Sequence, residues 1–290
     1  MRIRVSKYSG FCIGVRKALE ILDNIVCEGG RKAYTTGPII HNPQVVEYYR
    51  QQGIESVENI ADITEDATVV IRAHGIKPSD REVLFSKAVS VLDATCTVVQ
   101  KAHEIIEEEI NEGKFVYIAG NSAHPEVVVH LDLCRGRGKV LESFNDAVAL
   151  ERLESPAVLV AQTSFSDEEF QRIKDELCRR TPSILVHDTT CHIMRRAQES
   201  ACKLACEVDM MLILGGHNSS NTRRLGEMCK AEGVLTHLIE TADELRREWF
   251  DDVKEIGIAA GTSTPPDTIA AVKEWLRREL DAIEDEKEEN

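Results

Sequence analysis

The sequence predicts an α/β fold in which three similar units, each with a small parallel sheet, close into a ring around one central site. Three observations predict it. Short apolar runs alternate with helical patterns along the chain. The runs are continuous rather than alternating, which suits strands covered on both faces. Cys12, Cys96 and Cys191 each stand just before a helical segment, 84 and 95 residues apart, with 99 residues after the last.

In chain order, strands are expected at 3–5, 69–72, 89–92, 115–119, 158–161, 184–186, 210–214, 234–238 and 256–259. Helices are expected at 15–26, 98–111, 167–180, 194–207, 221–232 and 265–280, with a charged, frayed tail at 284–290. Polar loops recur at matching offsets from the three cysteines. His41 follows its cysteine by 29 residues, His124 by 28 and Ser219 by 28. A second loop places His74, Thr163 and Ser263 at 62, 67 and 72. Asp93-Ala94-Thr95-Cys96 and Asp188-Thr189-Thr190-Cys191 are nearly the same phrase, each after an apolar run. The expected units are 13–95, 96–190 and 191–282. The last lacks a closing strand of its own, which the N-terminal segment 1–12 can supply. Ligands of parallel sheets gather at the carboxyl ends of the strands, so these loops are the candidate site.

The bulk numbers exclude several functions. The 290 residues carry 35 basic and 50 acidic side chains, a net charge of −15, which disfavours nucleic acid and a polybasic membrane contact. The first nine residues contain no apolar run, so no signal peptide is expected and the protein is expected in the cytoplasm. No run approaches the roughly 18 apolar residues of a membrane span. Nine cysteines, an odd number without a secretory signal, argue against a disulfide framework.

Cys12, Cys96 and Cys191 fit metal ligation, because N–H groups at a helix start stabilise a thiolate or a cluster sulfide. They equally fit core positions of a metal-free α/β protein. Cys202 and Cys206, four apart among small apolar residues, read as a buried helix face, and Cys27, Cys178 and Cys229 as core. His41, His74 and His124 stand in loops just after apolar runs, where imidazole N–H groups suit an anion. His103 falls inside a helical pattern and His237 inside a strand, so both are left out; His217 is a weaker candidate. Glu126 is a candidate general acid, and behind Pro125 it also suits a helix N-terminus. Gly215-Gly216-His217-Asn218-Ser219-Ser220-Asn221 and Gly261-Thr262-Ser263-Thr264-Pro265 are turns that can cradle a phosphate or simply cap helices.

Taken together, Gly10-Phe11-Cys12-Ile13-Gly14-Val15, Gly37-Pro38-Ile39-Ile40-His41-Asn42, Arg72-Ala73-His74-Gly75, Asp93-Ala94-Thr95-Cys96, His124-Pro125-Glu126-Val127, Gln162-Thr163, Asn218-Ser219-Ser220-Asn221 and Ala260-Gly261-Thr262-Ser263 resemble the IspH/LytB family of 4-hydroxy-3-methylbut-2-enyl diphosphate reductases, from about residue 9 to 280. The resemblance implies a trefoil of three α/β units around a 4Fe–4S cluster held by Cys12, Cys96 and Cys191, with one iron open to substrate. It implies diphosphate binding by His41, His74, His124, Ser219, Ser220, Asn221 and Ser263. Glu126 would deliver protons, with His124 and Thr163 beside it. The implied reaction yields isopentenyl and dimethylallyl diphosphates, with reduced ferredoxin or flavodoxin as the electron donor. The sequence departs from the family's pattern at Val128-Val129-His130, at His192-Ile193-Met194 after Cys191, and at Thr262, where the family has alanine.

Overall fold

The structure, a computed structural model, describes residues 1–30, 32–40, 42–87, 90–217, 219–281 and 283–284. His41 and Asn218, both expected in the site, lie outside the described residues, as do Val89 of one expected strand and 285–290 of the expected tail.

Up to the second cysteine the elements are β1 (Arg2–Val5), α1 (Ile13–Glu28), β2 (Ala33–Thr36), α2 (Pro43–Gln51), β3 (Ile54–Val57), β4 (Thr68–Ile71), α3 (Pro78–Ser86) and β5 (Ser90–Asp93). Then come α4 (Thr97–Asn111), β6 (Phe115–Ala119), α5 (Pro125–Leu133), β7 (Gly138–Leu141), α6 (Phe144–Val148), β8 (Ala157–Ala161), α7 (Asp167–Arg180) and β9 (Leu185–Val186). The remainder gives α8 (His192–Ala205), β10 (Met210–Leu214), α9 (Ser220–Ala231), β11 (Leu235–Ile239), β12 (Glu255–Ala260), α10 (Pro266–Leu280) and β13 (Ile283–Glu284).

The strands form three sheets with one repeated order: β3-β2-β4-β5, β7-β6-β8-β9 and β11-β10-β12-β1-β13. Every pairing is parallel. The α/β class with small parallel sheets is therefore the one the sequence predicts. In the third sheet β1 runs beside β12, with Ile3 opposite Ile256, so a strand from the start of the chain takes the place that β5 and β9 hold in the other two.

Contacts gather the chain into two compact units. The first holds Met1–Arg16, Ile40–Val45 and His192–Asn290 with the third sheet; the second holds Lys17–Ile39 and Val46–Cys191 with the other two. In the first unit, all five residues of β10 are buried. Met210, Leu212 and Leu214 pack with Val272 and Leu276 of α10, while Met211 and Ile213 pack with Leu204 of α8 and Leu225 of α9. The two-residue pleat thus survives in a run with no polar residue, because both faces are covered. Each such side chain contributes about 1.5–3 kcal/mol on burial. In the second unit, Tyr117 and Leu159 face one core with Phe170 and Ile173 of α7, and Val116, Ile118 and Val158 face another with Ile106 and Ile110 of α4.

The strands β2, β3 and β7 and the short helices α2, α3, α5 and α6 go beyond the sequence expectation. β2 is Ala-Tyr-Thr-Thr, half polar, yet it is buried throughout because it lies at the centre of its sheet. No helix among the described residues is long and apolar enough to cross a membrane.

Candidate active site

The three cysteines that precede helices share one backbone construction. Within the first unit the Cys12 N–H donates to the Thr262 carbonyl, 3.3 Å. Within the second, Cys96 N–H donates to Ala73 O at 3.0 Å and Cys191 N–H to Thr163 O at 2.7 Å. The acceptors lie in the loops that follow β12, β4 and β8, which hold the same place in their sheets. Each cysteine is thereby pinned to a loop of the kind expected to carry binding residues. The two repeated phrases also make the same turn: Thr95 N–H donates to Asp93 Oδ1 at 2.9 Å, and Thr190 N–H to Asp188 Oδ1 at 3.1 Å.

All three cysteines stand outside any disulfide and are half-buried. Cys134 and Cys229 differ: they are fully buried, and loss of water pushes each thiol up to about 12, which marks them as structural. The core expectation holds for Cys229 and fails for Cys27 and Cys206, which are exposed, and for Cys202, which is only half-buried. Cys27 lies in the last turn of α1 and Cys206 one residue past α8, both beyond the buried stripe of their helices. Cys206 Sγ instead reaches Glu232 Oε2 at 3.4 Å.

Glu126 is the most heavily buried acid among the described residues, 1% exposed. Its place follows from α5: His124 is the N-cap, its Nδ1 accepting the Glu126 N–H at 3.3 Å, and Pro125 opens the helix. The carboxyl then faces the loop after β8. Oε1 accepts the Thr163 N–H at 2.6 Å and Oε2 accepts the Thr163 hydroxyl at 2.8 Å. Burial raises the acid to about 7, against the lesser lowering pull of the two Thr163 bonds. Glu126 therefore exists in both protonation states near neutrality, as a general acid requires. The rings of His74 and His124 meet edge to face with centroids 5.1 Å apart. Thus the second unit brings together His74, His124, Glu126 and Thr163, with Cys191 tied to Thr163.

A sign follows for stability. Between its ordinary value of 4.5 and about 7, folded Glu126 keeps a proton that the unfolded chain loses. Its contribution is full below 4.5, declines as pH rises through that window, and is flat above it. Glu126→Gln should therefore gain stability over the parent at pH 8 relative to pH 5, by on the order of 3 kcal/mol. Urea unfolding at the two pH values checks this; an equal difference at both would contradict the raised value.

In the first unit Ser219 caps α9, its Oγ accepting the Thr222 N–H at 3.3 Å, and Ser220 opens the helix. Asn221 Nδ2 points at Thr262 Oγ1, 3.5 Å. The Ser263 carbonyl accepts Asn42 Nδ2 at 3.0 Å. Gly261 is required by close approach: a Cβ there would stand 2.5 Å from Thr222 Oγ1. Thr222 is fully buried and cannot yield. Gly261→Ala should cost about 1–3 kcal/mol in urea unfolding, and Thr222→Ala should recover most of it in the double variant. A Gly261→Ala protein as stable as its parent would refute the contact. His217 is exposed and held by Glu244 Oε2 at 2.9 Å, while His237 stacks on Trp249, centroids 4.0 Å apart.

Asn42, Thr262 and Thr222 were not singled out as site residues, and His103 was set aside. Yet His103 is half-buried, packed against the Gly75 loop rather than fully solvated on its helix. The signal was its spacing: seven residues, two helical turns, after Cys96.

A buried carboxylic acid poised near neutrality is the mark of a functional site more than of a packed core, where an apolar side chain would serve better. The class of protein is an enzyme, built on parallel α/β sheets. The family model described as LytB protein matches residues 3–277, and the chain belongs to that family. Curated relatives include the 4-hydroxy-3-methylbut-2-enyl diphosphate reductase of Aquifex aeolicus, 40% identical over 95% of this chain and 96% of that one. The reductase of the same name from Geotalea daltonii is 39% identical over 95% and 97%. A solved (E)-4-hydroxy-3-methyl-but-2-enyl diphosphate reductase, the terminal enzyme of the non-mevalonate pathway, is 40% identical and superposes with a TM-score of 0.75, covering 96% of this chain and 99% of that one. The Plasmodium falciparum reductase has the same fold at 23% identity, TM-score 0.89, covering 99% and 93%. The chain is an oxidoreductase.

Proposed function

We propose that the chain reduces 4-hydroxy-3-methylbut-2-enyl diphosphate, taking two electrons and two protons to release the hydroxyl as water and leave isopentenyl and dimethylallyl diphosphates. The observation that carries this reading is the position of Thr163. Its carbonyl holds the Cys191 N–H, and its own N–H and hydroxyl hold the Glu126 carboxyl. A proton donor and a candidate ligand are thus joined through one residue.

The donor chemistry fits an iron–sulfur cluster: Cys12, Cys96 and Cys191 are thiols outside any disulfide, each at the start of a helix. Bound there, a 4Fe–4S cluster would supply the electrons and, having only three thiolates, one iron open to the substrate's oxygen. Glu126 gives a proton to the departing oxygen, and Thr163 orients the carboxyl. His74 and His124, together with His41, offer ring N–H groups to the diphosphate. Ser219, Ser220, Asn221 and Ser263 offer hydroxyl and amide groups, and the N-terminus of α9 adds its dipole. Electrons arrive from reduced ferredoxin or flavodoxin, and the enzyme works in the cytoplasm without membrane or nucleic acid.

Anaerobic purification with iron and sulfide analysis, followed by substrate titration under Mössbauer spectroscopy, tests the reading. One iron signal should shift when the diphosphate is added. Colourless protein, or a cluster whose spectrum ignores the substrate, would overturn it.

A further inference from the structure

Two histidines, His130 buried and His103 half-buried, stand behind Glu126, and the reaction as described uses neither. His130 lies one turn beyond Glu126 on α5 and is fully buried. Its Nε2 is 3.8 Å from Glu126 Oε1, beyond a hydrogen bond but closed by a small ring movement. His103, on α4, meets His130 edge to face with centroids 5.2 Å apart. Gly75 makes room for it: a Cβ there would stand 2.7 Å from His103 Cε1. On its other side His103 feels the charge of Asp93, whose carboxylate reaches the surface beside Arg81 at 3.1 Å.

Three ring nitrogens, Nε2 of His103 and both of His130, are buried without a hydrogen-bond partner among the described residues. Buried polar atoms of this kind are rare and call for a use. Desolvation lowers His103 to about 4 and His130 to about 3, so both rings are neutral. A neutral imidazole accepts a proton on one nitrogen and releases one from the other, passing it on without keeping charge. The groups that face the pair are Glu126 and His124 of α5, Asp93 of β5 and the Cys134 thiol, which donates to the His130 carbonyl at 3.1 Å.

We propose that His103 and His130 form a proton route that reloads Glu126 from the Asp93 side of α4. The proposal rests on Glu126 being the proton donor of the reaction. In each passage a proton from water binds one nitrogen of His103 as the proton on its other nitrogen passes to His130 Nδ1, and His130 releases its Nε2 proton to the Glu126 carboxylate; ring rotation then resets the tautomers. No electron moves in the route.

The test reads the carboxyl itself. The holoprotein is transferred to D2O below pH 7, and exchange of the Glu126 proton is followed by its infrared C=O band, assigned by loss of that band in Glu126→Gln. Exchange should slow by about tenfold or more in His130→Gln and in His103→Gln, and imidazole added to His130→Ala should restore it. In turnover, kcat should fall with KM unchanged and the solvent isotope effect should rise. Thermal unfolding verifies that the variants are folded, and His103→Gln, on a different helix, serves if His130→Gln is not. Exchange at the parent rate in a folded variant, or no protonated band in the parent, overturns the route. Failure of the parent to reduce the diphosphate would instead sink the proposed reaction, while the exchange rates would still judge the route.

Discussion

Glu126→Gln should leave the cluster and diphosphate binding intact and lower kcat by about 10²–10⁴, the range for loss of a positioned general acid. The amide nearly matches the carboxyl in shape, so α5 and its His124 cap have no reason to move. Its oxygen can accept the Thr163 N–H, which the acid accepts at 2.6 Å, and its NH2 can donate to the Thr163 hydroxyl, which turns to accept. What the amide lacks is an acidic proton. The parent's rate should fall as pH rises through about 7, because the form that donates is the protonated one. In Glu126→Gln that dependence should be missing from whatever rate remains. Steady-state kinetics from pH 6 to 9, beside a substrate-binding titration, measures both. Full turnover in the variant would remove Glu126 from proton delivery.

Cys96→Ala should abolish activity and strip the bound iron while leaving the fold in place. Cys96 is the N-cap residue of α4, yet its side chain makes no capping bond. Its part in the fold is carried by the backbone: the N–H to Ala73 O and the carbonyl that accepts the Gln100 N–H at 2.8 Å. Alanine retains both, so the apoprotein should lose less than about 1 kcal/mol, whereas a true capping residue costs more on truncation. Iron analysis, absorbance and urea unfolding of the apoproteins measure the three effects. An active, iron-replete Cys96→Ala would rule out ligation by this residue, and a variant that fails to fold would return Cys96 to the role of a structural residue.

The candidate site was legible because its chemistry sits in loops. Loop histidines, hydroxyls and cysteines at repeated offsets stand out against apolar strands, and the same repetition predicts the N-terminal strand that completes the third sheet. Less was legible where polar residues are buried. Thr35 and Thr36 of β2 lie in a central strand, and no local pattern separates them from a turn. His103 and His130 were visible as spacings of seven from Cys96 and four from Glu126, but a histidine in a helix reads the same whether it faces solvent or core. The helical pattern likewise suggested a buried face for Cys202 and Cys206 that the helix end does not provide.

By itself the sequence determined the α/β class, the three cysteines ahead of helices and the loops that hold the proposed binding residues, since these depend on periodicity and on turn chemistry along the chain. Only the tertiary structure decided that Thr163 holds both Glu126 and Cys191, that Glu126 titrates near neutrality, and that two neutral histidines lie behind it. Those properties come from desolvation and from neighbours distant in sequence, Thr163 being 37 residues from Glu126, and neither is encoded in any local run of residues.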